Sequence, residues 1–188
     1  NKVFKTINPA NGELIAEIPD GDGTDATKAI DSATDVFEHW SKTTAYQKSD
    51  ILYRIYDAMS ANKEHLARTM TQEQGKPLKA ALNEVQYASE FMLWYAEEVK
   101  RVYGRTIPAP RSDQRFILNY HPVGVVAAVT PWNYPISMIT RKVAPAIAAG
   151  CTIIVKPAEE TPLCAIETFK ILEKAGLPVS PPLQLPDK

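Results

Sequence analysis

Residues 123–157 read VGVVAAVTPWNYPISMITRKVAPAIAAGCTIIVKP, and this stretch decides the fold. Residues 123–129 form an apolar run rich in β-branched side chains, which is typical of a buried parallel strand. The pattern that follows predicts an apolar helix over 136–149, a second buried strand over 152–155 and a further helix over 162–175. Strand, loop, helix, strand, loop and helix in this order predict a doubly wound α/β unit.

Two amphipathic helices are predicted upstream of that unit. Over residues 25–40 the apolar side chains recur at steps of three and four, and Thr24 is in position to cap the first turn. A second helix is predicted from about Tyr46, because Thr44 and Gln47 have the spacing of a capping box. Each helix has one apolar face, which is expected to pack against a core.

A third and a fourth helix follow along the chain. The third is expected to end at Gly75, since glycine is the usual residue just beyond a helix. The fourth is predicted to begin after Pro77 and to run to about Tyr103, as far as its apolar stripe continues. Short strands are predicted over 13–18 and 115–120, on either side of the four helices.

Composition and charge exclude several classes of partner. The 188 residues carry a formal net charge of -1, and 45% of them are hydrophobic, so neither nucleic acid nor an anionic membrane is favoured. No apolar run is long enough to span a bilayer and no secretory leader opens the chain, so a cytoplasmic location is expected. The predicted division is a helical region with oligomerisation strands over 1–122, the α/β region over 123–179 and an irregular tail over 180–188.

Two loops follow the carboxyl ends of the predicted parallel strands, where ligands bind in open sheets of this kind. The first loop, residues 130–135, has a proline near each end, and these prolines restrict the backbone. Such a loop can hold the Asn133 amide at a fixed point, as stabilisation of an oxyanion requires. The alternative is that Asn133 only caps the helix that follows.

The second loop, residues 156–162, begins with a lysine and continues with two carboxylates. Lys156 can donate to hydroxyls or phosphate oxygens, and a carboxylate such as Glu159 can accept both hydroxyls of a ribose. The alternative is an ordinary helix start, with Thr161 as N-cap, Pro162 in the first turn and an exposed acidic pair. Neither loop contains the GxGxxG pattern of an ordinary dinucleotide-binding turn.

Arg141 and Lys142 are charged residues within the apolar helix predicted over 136–149. A charge at such a position must be paired, reach solvent or face a cavity. Arg141 lies two turns beyond Asn133, so its guanidinium could reach the same ligand space, and arginine suits bidentate binding of a carboxylate. The alternative is a structural ion pair or an interface contact.

The two cysteines, Cys151 and Cys164, are better interpreted as small buried side chains than as nucleophiles. Both lie in or beside predicted elements, and neither has a histidine spaced nearby. Two thiols do not make a disulfide framework, which agrees with a reducing compartment. No metal site is expected, because neither cysteine has the spacing of a metal ligand and the three histidines are scattered.

Three blocks of the sequence resemble the aldehyde dehydrogenase superfamily. They are residues 130–135, 144–152 and 156–162, and their order and spacing are specific to that superfamily. Residues 8–12 and 73–77 fit it as well, and the resemblance extends from the start of the chain to the predicted tail. The implied fold is α/β and aldehyde dehydrogenase-like, with amino-terminal helices and the first, incomplete part of a Rossmann-like parallel sheet.

The resemblance implies roles for residues of both loops. Asn133 would be the side-chain donor of an oxyanion hole that polarises the aldehyde carbonyl. Contacts with the cofactor are implied for Val129, Thr130, Pro131 and Trp132 on the nicotinamide-ribose side, and for Lys156, Ala158 and Glu159 on the adenosine-ribose side. The implied cofactor is NAD, because a carboxylate facing the ribose repels a 2′-phosphate. NADP stays open, since Lys156 could pair with that phosphate.

Within the superfamily the chain is most similar to succinate-semialdehyde dehydrogenases. Residues 96–98, 101–104, 107–108 and 138–142 carry this similarity. In that subfamily the arginine of the Thr-Arg-Lys step is linked to binding of the substrate carboxylate, which implies this role for Arg141. The implied reaction oxidises succinate semialdehyde to succinate, and other carboxylated or amino aldehydes stay open as substrates.

The resemblance also implies what these residues lack. A complete member of the family is well over twice as long, and its catalytic cysteine and general-base glutamate have no counterpart in this chain. The 188 residues alone are therefore expected to be inactive, and the full-length protein is expected to be a homo-oligomer. The alternative is a non-catalytic fragment that only binds nucleotide or contributes an oligomer interface. Residues 180–188 depart from the family pattern.

Overall fold

The computed structural model describes residues 2–179, in which six strands and six helices occur. The strands are β1 (Val3–Ile7), β2 (Leu14–Pro19), β3 (Arg105–Pro108), β4 (Arg115–Leu118), β5 (Val125–Val129) and β6 (Thr152–Lys156). The helices are α1 (Gly23–Ser41), α2 (Ala45–Ala61), α3 (Lys63–Gln74), α4 (Leu78–Glu98), α5 (Ser137–Ala149) and α6 (Pro162–Lys174), with a short 3-10 helix at Val99–Arg101. None of the described helices is long and apolar enough to cross a lipid bilayer. The tail predicted over 180–188 lies outside the described residues.

β5 and β6 form the predicted parallel pair, with α5 as the crossover between them. Their register runs from Val125 opposite Thr152 to Val129 opposite Lys156. The predicted α/β unit is therefore confirmed. The expectation that the first strand is fully buried is wrong, since Val129 is 70% exposed. Within residues 2–179 these two strands pair only with each other, so each keeps an open edge and side chains at the rim of the sheet meet solvent.

One hydrophobic core joins the amino-terminal helices to the parallel unit. Its largest fully buried side chains include Leu52, Ile55, Met59, Leu66, Met70, Met92, Ile136, Ile139 and Leu172. The apolar side chains recur at helical spacing, so each helix buries one face and exposes the other to solvent. Burying one such side chain stabilises the fold by roughly 1.5–3 kcal/mol. Residues on both sides of the predicted domain boundary at residue 122 contribute to this shared core. The boundary stays a prediction.

The first two helices begin at side-chain caps. α2 starts with the predicted capping box, in which Thr44 and Gln47 each accept the other's backbone N–H. Thr24 as the cap of α1 is wrong. Asp22 caps α1 by accepting the Thr24 N–H at 2.7 Å, and the Asp25 carboxylate accepts the Asp22 N–H at 3.2 Å. A carboxylate is a strong acceptor near the positive end of a helix, so the cap lies two residues earlier than predicted.

The regular part of α4 ends at Glu98, whereas the periodicity predicts a helix to about Tyr103. Val99 is the last buried side chain of the apolar stripe, and Val102 and Tyr103 are exposed. Without burial to stabilise it, the backbone tightens into the 3-10 helix and then leaves helical geometry. The longer helix is therefore wrong because its last apolar residues do not pack.

The sequence pattern does not predict β1 or β3. β1 pairs antiparallel with β2 and β3 pairs antiparallel with β4, so each is half of a ladder whose other half matches a predicted strand. Both strands are short, and they are defined by hydrogen bonds to the partner strand. A local sequence pattern does not report such pairing. The ladder of β3 and β4, called the exposed hairpin below, is open to solvent along both strands.

Candidate active site

β5 and β6 end side by side at the same edge of the sheet. The register places Val129 opposite Lys156, and the Thr130 N–H donates to the Lys156 carbonyl at 3.1 Å. The two loops singled out by the sequence, residues 130–135 and 156–162, therefore leave the sheet as neighbours, as predicted. An edge of this kind is where open parallel sheets bind ligands.

The loop over residues 130–135 is buried at both ends and exposed in the middle. Thr130 and Pro135 are buried. Trp132 and Asn133 lie between them and are exposed. An exposed amide between two buried anchors can be reached by a ligand and still be held in place, which is the arrangement that an oxyanion donor needs.

Side chains from the turn between α3 and α4 hold the middle of this loop. Gln74 Nε2 donates to the Trp132 carbonyl at 2.7 Å. Lys76 Nζ donates to the Asn133 carbonyl at 3.0 Å. The same ammonium lies 4.3 Å from the centroid of the Tyr134 ring, which adds a cation–π contact. Two side chains from one turn thus contact three consecutive residues of the loop.

A buried carboxylate caps the helix that follows the loop. The Glu84 side chain is 1% exposed, and its Oε2 forms an ion pair with Lys76. Its Oε1 accepts the N–H groups of Ile136 and Ser137 at 3.1 and 3.2 Å. Since Glu84 already satisfies the N–H groups at the start of α5, the alternative interpretation of Asn133 as the cap of this helix is wrong.

Glu73 caps α6 in the same way. Its two carboxylate oxygens accept the N–H groups of Leu163 and Cys164 at 2.5 and 2.9 Å. Pro162 occupies the first turn as predicted, but Thr161 makes no side-chain cap bond. Thr161 stands at the predicted N-cap position, but the Glu73 carboxylate takes the free N–H groups in place of its hydroxyl. Burial raises the pKa of Glu73, and the hydrogen bonds from Cys164 oppose that shift.

Lys156 and Glu159 meet at the start of the second loop. Lys156 Nζ lies 2.5 Å from Glu159 Oε1, and both side chains are exposed. The ammonium also donates to the Pro157 carbonyl at 3.3 Å. Its hydrogen bond holds the pKa of Glu159 below the ordinary value, so this carboxylate is ionised at neutral pH. Ala158, between them in the chain, is half-buried. The ribose contact of these residues stays a prediction.

Arg141 is exposed on the first half of α5. Its Nη1 contacts the Met138 sulfur at 3.8 Å. No carboxylate in the described part of the chain forms an ion pair with it, so the alternative of a structural ion pair has no support there. Lys142 differs, because its Nζ donates to the Met138 carbonyl at 3.2 Å. The Arg141 guanidinium is therefore available to a ligand.

Both cysteines are buried, which confirms their interpretation as core side chains. Burial raises the pKa of the Cys164 thiol far above its ordinary value, and the nearby Glu73 carboxylate adds to the shift. A thiol that stays protonated is a poor nucleophile. Cys151 lies just before β6 and is 4% exposed.

The local sequence pattern does not identify the side chains that hold the two loops. Residues 73–77 resemble the family, but the resemblance implies no role for each of them. For Glu84 a signal exists, because it lies between Ala81 and Val85 on the buried stripe of α4. A carboxylate on an apolar stripe indicates a buried partner, although the sequence does not say which one.

The fold and the site together define a class of protein. A parallel pair of strands, a crossover helix and two adjoining loops at the carboxyl edge are the beginning of a doubly wound α/β domain. The chain belongs to the aldehyde dehydrogenase family, whose sequence profile matches residues 1–180.

Individual relatives cover the described fold. The mitochondrial succinate-semialdehyde dehydrogenase of Arabidopsis thaliana is 49% identical over 178 residues, which is 95% of this chain and 34% of that protein. The succinate-semialdehyde dehydrogenase (NADP(+)) of Escherichia coli K12 is 45% identical over 177 residues, 94% of this chain and 37% of that protein. The crystal structure of an aldehyde dehydrogenase from Brucella melitensis biovar abortus 2308 superposes with a TM-score of 0.93 at 48% identity, covering 94% of this chain and 37% of that one. This chain spans about a third of the length of the curated relatives it matches.

Loss of the Glu84 carboxylate is expected to destabilise the fold strongly. Glu84→Gln should lower the free energy of unfolding by about 3 kcal/mol, because the largely buried Lys76 ammonium loses its carboxylate partner. Urea denaturation at pH 7, followed by tryptophan fluorescence, measures this change. Glu90→Gln, on an exposed position of the same helix, is the control and should change the value by less than about 0.5 kcal/mol. A loss for Glu84→Gln no larger than that of the control would contradict the role of this ion pair.

Proposed function

We propose that this chain is the amino-terminal part of an NAD(P)-dependent aldehyde dehydrogenase that oxidises succinate semialdehyde to succinate. The observation that carries the proposal is the exposed Asn133 on an anchored loop, beside the Lys156–Glu159 pair at the carboxyl edge of the sheet. The relatives named succinate-semialdehyde dehydrogenases support this choice of reaction. The aldehyde is therefore the small-molecule partner of the proposed site.

Asn133 has the role of hydrogen-bond donor in this proposal. Its side-chain amide would bond the aldehyde oxygen and stabilise the negative charge that develops there when a nucleophile attacks the carbonyl carbon. The anchored backbone matters for this role, because a donor that is already in place needs no reorganisation during the reaction. The interaction strengthens as charge develops, so it favours the transition state over the bound substrate.

The residues at the carboxyl edge fit a nicotinamide dinucleotide. Val129 presents an exposed apolar side chain at this edge, and the exposed Trp132 follows it, so a flat ring has an apolar surface to lie against. We assign the nicotinamide-ribose side to Val129, Thr130, Pro131 and Trp132, and the adenosine-ribose side to Lys156, Ala158 and Glu159. When bound, the cofactor accepts the hydride that leaves the substrate.

Glu159 supports NAD as the preferred cofactor. The ionised carboxylate would accept ribose hydroxyls but repel a 2′-phosphate. Lys156 is already paired with Glu159, so its charge is less available to such a phosphate. NADP is the alternative, and the Escherichia coli relative carries NADP(+) in its name.

The cofactor assignment predicts a change in selectivity. Glu159→Gln should shift the ratio of NAD to NADP affinity towards NADP by up to about fivefold, since an exposed charge contributes about 1 kcal/mol or less. Calorimetric titration of the 188-residue chain with each nucleotide measures this ratio. Glu160→Gln, at the exposed neighbouring position, is the matched control. The same ratio in both variants would contradict a ribose contact by Glu159, and absence of binding by the unmodified chain would favour an inert fragment.

Arg141 supports a substrate that carries a carboxylate. Its guanidinium is exposed and has no carboxylate partner within residues 2–179, as described above. It lies eight residues beyond Asn133, on the first half of α5, and a guanidinium binds a carboxylate through two parallel hydrogen bonds. Succinate semialdehyde has an aldehyde at one end and a carboxylate at the other, which matches a site with one donor for each group.

The substrate assignment can be tested in a hybrid enzyme in which residues 2–179 replace the matching segment of the Escherichia coli relative. Arg141→Ala should lower kcat/KM for succinate semialdehyde by about 10- to 100-fold, because a charge-assisted hydrogen bond is lost, and should leave butanal oxidation nearly unchanged. Lys142→Gln is the control, since the Lys142 ammonium donates to the Met138 backbone carbonyl. Equal losses for the charged and the uncharged aldehyde would contradict carboxylate recognition by Arg141.

We propose further that the 188 residues alone do not turn over aldehyde. The chain contains two cysteines, both buried, and neither Cys151 nor Cys164 has the exposure of a nucleophile. An assay of the chain with NAD and succinate semialdehyde should show no turnover above that of buffer. Robust turnover that is abolished by Cys151→Ala or Cys164→Ala would overturn this proposal.

A second candidate function is that of a non-catalytic piece that contributes an oligomer interface. The exposed hairpin favours it, because Ile107, Phe116 and Ile117 are open to solvent there. An apolar ladder with open edges suits pairing with a second copy of the chain. We propose accordingly that the full-length protein is a homo-oligomer. The cytoplasmic location stays a prediction, and one relative is named mitochondrial.

A further inference from the structure

We infer that Gln74 and Lys76 are positioning residues that set the direction in which the Asn133 side chain leaves the backbone. This inference rests on the proposed role of Asn133 as oxyanion donor and assigns the residues that set its geometry. Neither side chain is expected to touch the substrate, because each is engaged with a backbone carbonyl of the loop.

Both peptide groups that flank the Asn133 Cα accept a hydrogen bond from one of these side chains. The Trp132 carbonyl belongs to the peptide before Asn133, and it accepts from Gln74 Nε2 at 2.7 Å. The Asn133 carbonyl belongs to the peptide after it, and it accepts from Lys76 Nζ at 3.0 Å. A peptide group is planar, so a hydrogen bond to its carbonyl oxygen restrains the whole group. Restraining both groups restrains φ and ψ of Asn133 and hence the direction of its Cα–Cβ bond.

The two donors can act together because of the residue between them. Gly75 ends α3 with φ +78°, a conformation that brings the chain out of the helix, and an added Cβ would lie 3.2 Å from Pro9 Cγ. On either side of this turn, Gln74 and Lys76 bond successive carbonyls of the same loop. The turn at Gly75 therefore places the two donors so that they reach successive carbonyls of the loop.

Each donor is itself held in one orientation. The Gln74 Oε1 atom is buried and has no hydrogen-bond partner within residues 2–179. Turning the amide over would place that oxygen against the Trp132 carbonyl and lose the hydrogen bond. The Lys76 ammonium is held by the Glu84 carboxylate and by the Tyr134 ring as well as by the Asn133 carbonyl. A positioning role requires this rigidity, since a mobile donor would not define the loop.

Gln74 gives the cleanest test, because its loss removes no charge from the interior. In the hybrid enzyme, Gln74→Met should lower kcat by about 10- to 100-fold, as expected for a displaced catalytic donor, with KM for succinate semialdehyde changed by less than about twofold. Gln72→Met, at an exposed position of the same helix, is the matched control and should leave both constants unchanged. Equal kinetics for the two variants would overturn the inference.

Lys76 is tested in the Glu84→Gln background, because removing the ammonium alone would leave a buried carboxylate unpaired. Lys76→Met added to Glu84→Gln should lower kcat by a further factor of about ten. Lys63→Met added to the same background is the control, since the Lys63 ammonium bonds Gln86 between α3 and α4 and not the loop. Matching values for the two double variants would contradict the role of Lys76.

The Asn133→Ala variant separates failure of this inference from failure of the proposed function. If Asn133→Ala keeps full kcat, Asn133 is not the oxyanion donor and the proposed function fails. If Asn133→Ala lowers kcat while Gln74→Met matches Gln72→Met, the inference alone fails. In the Asn133→Ala background, Gln74→Met should cause no further loss of kcat, because the amide it positions is gone. A purely structural role would give the same additional loss in both backgrounds.

A spectroscopic measurement on the 188-residue chain tests the same point without catalysis. The side-chain amide signals of Asn133 in an NMR spectrum of 15N-labelled chain are identified by their loss in Asn133→Ala. Gln74→Met should shift or broaden these signals, whereas Gln72→Met should leave them in place. Unchanged Asn133 signals in Gln74→Met would overturn the positioning role independently of any assay.

Discussion

A buried carboxylate governs the geometry of this molecule. Glu84 is almost completely excluded from solvent, and an ionised group in that position is stable only when its charge and its lone pairs are compensated. The compensation comes from the Lys76 ammonium and from the two N–H groups of Ile136 and Ser137 at the start of α5. One side chain thereby ties α4, the turn that precedes it and the helix after the first loop into one arrangement.

A second buried carboxylate holds the end of the second loop. Glu73, at the end of α3, accepts two N–H groups at the start of α6, so both helices of the parallel unit begin on carboxylates from the amino-terminal helices. The twelve or so residues from Glu73 to Glu84 therefore set the position of both loops at the carboxyl edge. This dependence explains why the helices and the sheet share a core and why the Asn133 side chain does not cap α5.

The elements that could be predicted are those with a strong local pattern. The apolar run before the first loop predicts β5, and Gly75 ends α3 in the left-handed region, as expected. The elements that could not be predicted depend on distant partners. β1 and β3 exist because other strands pair with them, and α4 stops where its apolar stripe, at Val102, no longer packs.

For the candidate site, the sequence by itself determined which residues stand in the two loops and that these loops leave one edge of a parallel sheet. The tertiary structure alone decided which groups hold them. Glu73, Gln74, Lys76 and Glu84 each contact a loop or the start of a helix more than fifty positions further along the chain. Periodicity reports only which face of an element is buried, whereas a buried charge finds its partner through the packing of whole helices. The sequence thus identifies the residues of the loops, and the packing of the helices supplies the groups that hold their backbone.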